Sequence, residues 1–455
     1  MIYDIVIIGS GLGGLECAHI LARRGMSVLV LERQVQPGGC MQSFARHSFH
    51  YDTGLHYIGG LLEGQRLHDD FERLNLLHLP WQHLDADGFD HITIGDRTFR
   101  FAEGYDRFVE TLAHDFPNER EHLRRYVEML QSEENIVDKG AWDYLNETFC
   151  DPLLVNVLAG SSLKMEVRKT SLPLFVFAHG NASYIESSWR LKGDGNQLVQ
   201  SLTSDITSYG GTIVCKAEVT ELIDHDSRIV AARCQNGETY EGRTFISDVH
   251  PAITCAMTKR LKPIYRRRMT NTENTRGALT VSLRLKPHAL PYFNHNHFVY
   301  QEANVWEEPQ EVDRVMVSCR VPEGDELQID LMTPMAWEHC ERWADTTVGH
   351  RGADYEEMKN LWADRCIALA ERVIPNLGTM VAERHITTPL TWRDYTLTPQ
   401  GSAYGMRKDW QSPLFCMHSV KTSIENLLLT GQSLILHGVE GVTKTAFMTC
   451  EALLN

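Results

Sequence analysis

Residues 1–40 read MIYDIVIIGSGLGGLECAHILARRGMSVLVLERQVQPGGC. Ile5 to Ile8 is a continuous β-branched run, the pattern of a strand buried on both faces of a parallel sheet. Gly9, Gly11 and Gly14 follow with G-x-G-x-x-G spacing. The first glycine permits a tight turn, the second lets backbone approach a pyrophosphate, and the third lets a helix pack on the strand. That helix is expected from about Gly13 to Arg24, with Leu15, Ala18 and Ala22 as its apolar stripe and Gly25 at its C-terminal cap. Its N-terminal N–H groups point at the phosphates, so Ser10, Leu12 and Gly13 join the expected site. Ser27 to Leu31 reads as a second strand. Glu32 at its end suits a ribose hydroxyl pair and would repel a 2′-phosphate, which argues against NADP here. Strand, glycines, helix, strand and acid arrive in order, so a dinucleotide site is expected. This stretch alone leaves NAD and FAD open.

The chain has 455 residues, enough for two or three domains. Its net charge of −16 argues against nucleic acid as a partner. No signal peptide is expected, because the first strand opens at Tyr3, and no apolar run is long enough to span a membrane. The 11 cysteines include no C-x-x-C pair and read as reduced thiols of a cytoplasmic protein. The 21 histidines show no H-E-x-x-H spacing, and no metal is expected.

Residues 75 to 190 read as mostly helical. Phe108 and Leu112 share one face, and Leu123, Val127 and Leu130 another. "DPLLVNVLAG" and "SLPLFVFAHG" are short and strongly apolar, suited to core, to a lipid channel or to peripheral contact with a membrane face. A helix carrying Leu198, Leu202 and Ile206 precedes strands joined by polar turns. "ALTVSLRL", "HFVYQ" and "VMVSCRV" alternate like strands. "YEEMKNLWADRCIALAERVIP" reads as a helix burying Met358, Leu361, Leu369 and Val373. No second glycine-rich nucleotide motif occurs here, so NAD(P)H is expected only as a transient electron donor.

Four further stretches carry a family resemblance. They are Pro37-Gly38-Gly39-Cys40-Met41 with "FHYDTGLHYIGG", "KGDGNQLVQSL", the meander ending "FISDVHP", and "TGQSLILHGVEGV". Together they resemble the phytoene-desaturase-like FAD flavoproteins. "TPLTWRDYTLTPQGSAYGMRKD" is most similar to the branch with carotenoid isomerases and retinol saturases. Two positions depart from the family pattern: Cys40 stands where Arg or Lys is common, and Gln432 where Asp is common.

The resemblance implies an α/β fold, with a Rossmann-type FAD-binding domain of glutathione-reductase-like architecture and an interleaved α+β substrate domain. It implies a discontinuous cofactor domain over 1–74, 190–271 and 415–455, and a substrate domain over 75–189 and 272–414. It adds Arg33, Gly38, Gly39, Cys40, Met41, Leu55, Val219 (beside the adenine), Gly431, Gln432, Gly441 and Val442 to the FAD site. The implied chemistry is hydride exchange between flavin N5 and a C=C bond of a hydrophobic polyene or isoprenoid. Saturation also needs a proton donor. His56, Tyr57, Tyr404 and Glu440 are the candidates, each equally readable as a structural residue. A small-molecule or amine oxidase and a non-catalytic binder of prenylated partners are the competing functions on this fold.

Overall fold

The computed structural model describes residues 1–454 except 47–48, 133–137, 323–324, 326 and 413–416. The expected boundary at 414/415 and residue 455 lie outside the described residues.

The first strand, Ile2–Ile8, sits in the middle of a seven-stranded sheet. It pairs in parallel with Val28–Leu31 on one side and Thr239–Ser247 on the other. Thr212–Val214 extends one edge, Leu427–Leu429 pairs with the end of Thr239–Ser247, and an antiparallel meander (Val219–His225, Arg228–Cys234) completes the sheet. Val6, Ile7, Leu29 and Val30 are fully buried, because both faces of the sheet are covered. Helices Leu12–Arg23, Asn196–Ser208 and Gly438–Leu454 pack one face, burying Leu15, Leu198, Leu202, Ile206 and Ala446. Val219, Leu222, Phe245, Met257 and Leu261 close the other face.

A second seven-stranded sheet runs in the order Val381–Thr387, Gly277–Leu285, Gln328–Met335, Arg314–Cys319, Asn296–Tyr300, Asp90–Ile94, Arg97–Phe101. Side chains alternate across it. Phe298 and Tyr300 face a helical layer, while Val299 faces helix Ala353–Ala370. The helical layer contains Tyr105–Asp115, Arg120–Gln131, Pro152–Ala159 and Leu174–Glu186. Phe108, Leu112, Leu123, Val127 and Leu130 are buried in it, as their spacing required. Leu154, Val155, Val157, Leu158, Phe175 and Phe177 are buried there too, so both short apolar segments contribute to the core, and the second also presents Val176 to a cavity. No helix among the described residues is long and apolar enough to cross a membrane.

Two expectations need correction. Residues 75–190 are not helical throughout. Asp90–Ile94 and Arg97–Phe101 form a hairpin around Gly95-Asp96, with Gly95 at φ +59°. Ile92, Ile94, Phe99 and Phe101 carry the period-2 burial of strands, and the hairpin is held by parallel pairing to the distant Asn296–Tyr300. Helix Ala353–Ala370 buries Tyr355, Trp362, Ala363, Cys366, Ile367, Leu369 and Ala370, whereas Leu361 is 51% exposed. Leu369 is buried as expected and Met358 and Val373 pack against the same core, while Trp362 and Cys366 take the place expected for Leu361.

Candidate functional site

The glycine turn follows the strand directly. Gly9 adopts φ +94°, which a side chain rarely tolerates. A Cβ on Gly14 would overlap the Gly9 carbonyl, so this glycine lets the helix close on the strand. The Gly38–Gly39 turn leans on the same loop. Gly38 N donates to Ser10 O at 2.9 Å, and a Cβ on Gly39 would lie 3.0 Å from Gly11 Cα. The buried Glu32 accepts from the Ser10 N–H at 3.0 Å, from the Ser10 hydroxyl, and from Gln34 N at 2.6 Å. Glu32 therefore holds the turn in shape from the end of the second strand.

These residues line a cleft of about 1280 Å³, its open mouth included. The cleft brings together Gly9, Ser10, Gly11, Leu12, Gly13, Glu32, Arg33, Gly39, Cys40, Met41, Val219, Gly431, Gln432 and Val442. Gly14 and Gly38 support it from behind. Leu55 packs into the helix-side core instead, among the residues around Leu198 and Val199, and Gly441 lines a neighbouring cavity. Burial pushes the Cys40 thiol up to about 12, so it stays protonated.

Asp248 escaped the sequence reading. It follows strand Thr239–Ser247, and its carboxylate sits inside the glycine loop, accepting the Gly14 and Gly11 N–H groups. Cβ atoms on Gly11, Gly13 and Gly431 would fall 2.5, 2.8 and 2.7 Å from its oxygens. Burial pushes the carboxyl up to about 7, and the Glu32 charge adds to this. The available signal was the acid of "FISDVHP" at the carboxyl end of a sheet strand, where ligands of such sheets bind.

A second cavity meets the cleft at Gly438 and Val439, which line both. These residues open helix Gly438–Leu454, whose N-terminus favours negative charge. The cavity wall is largely apolar, from Ile58, Leu67, Met165, Val176 and Leu436, with Lys164, Tyr184, His437 and Glu440 among its polar groups. Lys164 Nζ donates to Tyr57 OH at 3.2 Å and stands 3.6 Å from the Tyr184 ring centroid. Tyr57 OH donates in turn to Asp90 at 2.8 Å, and Asn296 donates to the other Asp90 oxygen at 2.9 Å. Burial pushes the Lys164 ammonium down to about 8, with Asp90 opposing that shift. No local motif marks Lys164 in the sequence.

The candidate proton donors separate in space. Tyr57 belongs to the Lys164 network. Tyr404 donates to the Leu163 carbonyl, and its ring lies 5.0 Å from that of His437. Glu440 lines the second cavity; burial raises its pKa, against the pull of Arg66 and a Ser183 hydrogen bond. His56 lines neither cavity. Burial lowers its pKa, and its charged neighbours are Asp330, Arg190 and Arg320.

Residues 7–74 match the family described as NAD(P)-binding Rossmann-like domain. The chain is 23% identical to all-trans-retinol 13,14-reductase of Danio rerio, over 99% of this chain and 86% of that protein. It is 24% identical to prolycopene isomerase 2, chloroplastic, of an Oncidium hybrid cultivar, over 95% of this chain and 80% of the relative. Among solved structures it is similar to a triple mutant of putrescine oxidase, with TM-score 0.69 and 14% identity over 99% of this chain and 98% of that one. At that identity the likeness concerns the fold alone. The resemblance read from the four sequence stretches and the Rossmann-type α/β fold class are both borne out.

Proposed function

We propose that this relative of the phytoene-desaturase-like flavoproteins is an FAD-dependent oxidoreductase acting on a C=C bond of a hydrophobic polyene or isoprenoid. The observation that carries the reading is the junction at Gly438–Val439, where a dinucleotide-type cleft meets an apolar-walled cavity at one helix N-terminus. The similarity to a retinol reductase and a prolycopene isomerase, over 99% and 95% of this chain, supports this substrate class over amines.

The residues present suit FAD. The Asp248 carboxylate fills the space where side chains on Gly11, Gly13 and Gly431 would lie, and the Gly11 and Gly14 N–H groups donate to it, so this turn already binds an anion. In this reading the glycine turn lining the cleft would hold the pyrophosphate, Glu32 the ribose and Val219 the adenine side, with Met41, Gly431 and Gln432 along the rest of the cleft. When bound, FAD supplies hydride exchange at N5. The expected division of the chain, with 1–74, 190–271 and 415–455 holding the cofactor and the intervening segments enclosing the substrate, is part of the proposal.

The chain's own work is to exclude water from the alkene and to hold a proton beside it. The apolar wall does the first. Lys164 does the second: it lines the cavity, its proton is shared with Tyr57, and its pKa of about 8 lies close to working pH. Without a second nucleotide motif, NAD(P)H would reach the flavin only transiently, or the electrons would come from another donor.

The test is anaerobic incubation of FAD-loaded protein, oxidised and dithionite-reduced, with a panel of retinoids and carotenoids, read by mass spectrometry. Gain or loss of two hydrogens, or unchanged mass with a shifted retention time, supports the reading. Inert polyenes together with peroxide release from amines in air would replace it with the small-molecule oxidase.

A further inference from the structure

The second sheet carries a histidine cluster remote in role from either cavity. His91 on Asp90–Ile94 pairs directly with His297 on Asn296–Tyr300, in parallel register. His295 lies two residues before His297 and so shares its side of the strand. One ring nitrogen from each of the three lies within 4.8 Å of the other two. The His295 and His297 Nε2 atoms are 3.2 Å apart, with the two rings at 75°.

We propose that His91, His295 and His297 bind one divalent transition-metal ion, with zinc as the reference metal. Two nitrogens on a tetrahedral zinc with bonds of about 2.0–2.1 Å stand about 3.3 Å apart, close to the separation already present. Imidazole is the ligand such ions favour. Asp85 completes the arrangement by lying 3.2 Å from His295 Nδ1. A carboxylate there fixes the tautomer that leaves Nε2 free to bind, the usual outer partner of a metal-bound histidine. Asp85 is itself fastened, its N–H bonded to Asn294 O at 3.0 Å and its carboxylate to Asn294 Nδ2 at 3.3 Å.

His91 stacks on His295 with centroids 3.9 Å apart, and end-on binding would require it to turn out of that stack. Gly88 makes room for the ring where it stands, since a Cβ there would come within 2.9 Å of His91 Nε2. All three rings are only part-buried, so water can take the fourth position. The ion would clamp the hairpin strand Asp90–Ile94 to Asn296–Tyr300. Among the described residues the other three-ligand group, Glu119, His122 and Cys150, is already committed, because Glu119 accepts from Cys150 N and Asp151 N.

The alternative account of the 3.2 Å approach is one N–H···N bond between neutral rings, and the experiment separates the two. Untagged full-length protein is stripped with chelator, dialysed against zinc, gel-filtered and analysed for metal. The proposal expects one zinc per chain, a higher Tm with zinc, and loss of both effects in His297→Gln and in His91→Gln. Asp85→Asn should keep the stoichiometry while weakening affinity about 10- to 100-fold. Wild-type protein that retains no stoichiometric zinc overturns the proposal. So does zinc held with unchanged affinity by both histidine variants, since the metal would then sit on others of the 21 histidines.

Discussion

The Asp248 carboxylate and Gly11 stand so close that a methyl group on the glycine would fall 2.5 Å from Asp248 Oδ2. A buried acid thus takes up two N–H groups of the glycine turn. In the fold it keeps its proton to about 7, against 3.8 ordinarily. Between those values the folded chain holds more protons than the unfolded one, so stability falls as pH rises through that window. Asp248→Asn cannot ionise and should remove this slope, worth at most about 1.4 kcal/mol per pH unit. Melting curves of cofactor-free protein from pH 4 to 9 check it, and parallel curves for wild type and variant would refute it. FAD retention should likewise weaken above pH 7 in wild type and stay flat in the variant.

Glu32 takes two donors from Ser10 and one from Gln34. Glu32→Gln keeps the size but sets an amide NH2 against one of these donors and loses charge-assisted bonding, each such bond being worth about 1.5–3 kcal/mol. FAD affinity should fall about tenfold or more while the circular dichroism spectrum is kept. Fluorescence titration with FAD measures this, and unchanged affinity would remove Glu32 from the ribose site.

Lys164 predicts a pH profile. With a pKa of about 8, the donor form disappears as pH rises through that value, so a saturating activity should decline above pH 8. Lys164→Met should lower turnover about 10²- to 10⁴-fold, the usual weight of a general acid. Dithionite reduction of the bound flavin should be untouched. A variant that keeps the wild-type pH profile would exclude Lys164 as proton source.

The hairpin at Gly95 makes a stability prediction. Gly95→Val forces a β-branched residue to φ +59°, a cost of roughly 1–2 kcal/mol. Urea unfolding should show that loss, and a loss near zero would mean that the turn rearranges freely.

The glycine-lined cleft was legible because its parts are local. The turn after Ile8, the helix after Gly11 and the acid after Leu31 follow one another within a single strand–helix–strand unit, and backbone sterics tie each to its neighbours. The hairpin at 90–101 was misread although Gly95-Asp96 and the alternation around it were available. Its partner strand comes from Asn296–Tyr300, so the pairing that stabilises it has no local sign. The same holds for helix Ala353–Ala370, where the sheet beneath chose which apolar residues to bury.

The sequence by itself determined the Rossmann-type fold, the glycine cradle and the family resemblance. Glycine positions and apolar periods act through interactions a few residues long. Only the tertiary structure decided that Asp248 enters the cradle, that Lys164 meets Tyr57 and Tyr184, and that His56 stands apart from both cavities. Those outcomes depend on where distant strands end and on which side chains burial leaves facing one another. Charge and solvation at such a point are set by neighbours in space rather than in the chain.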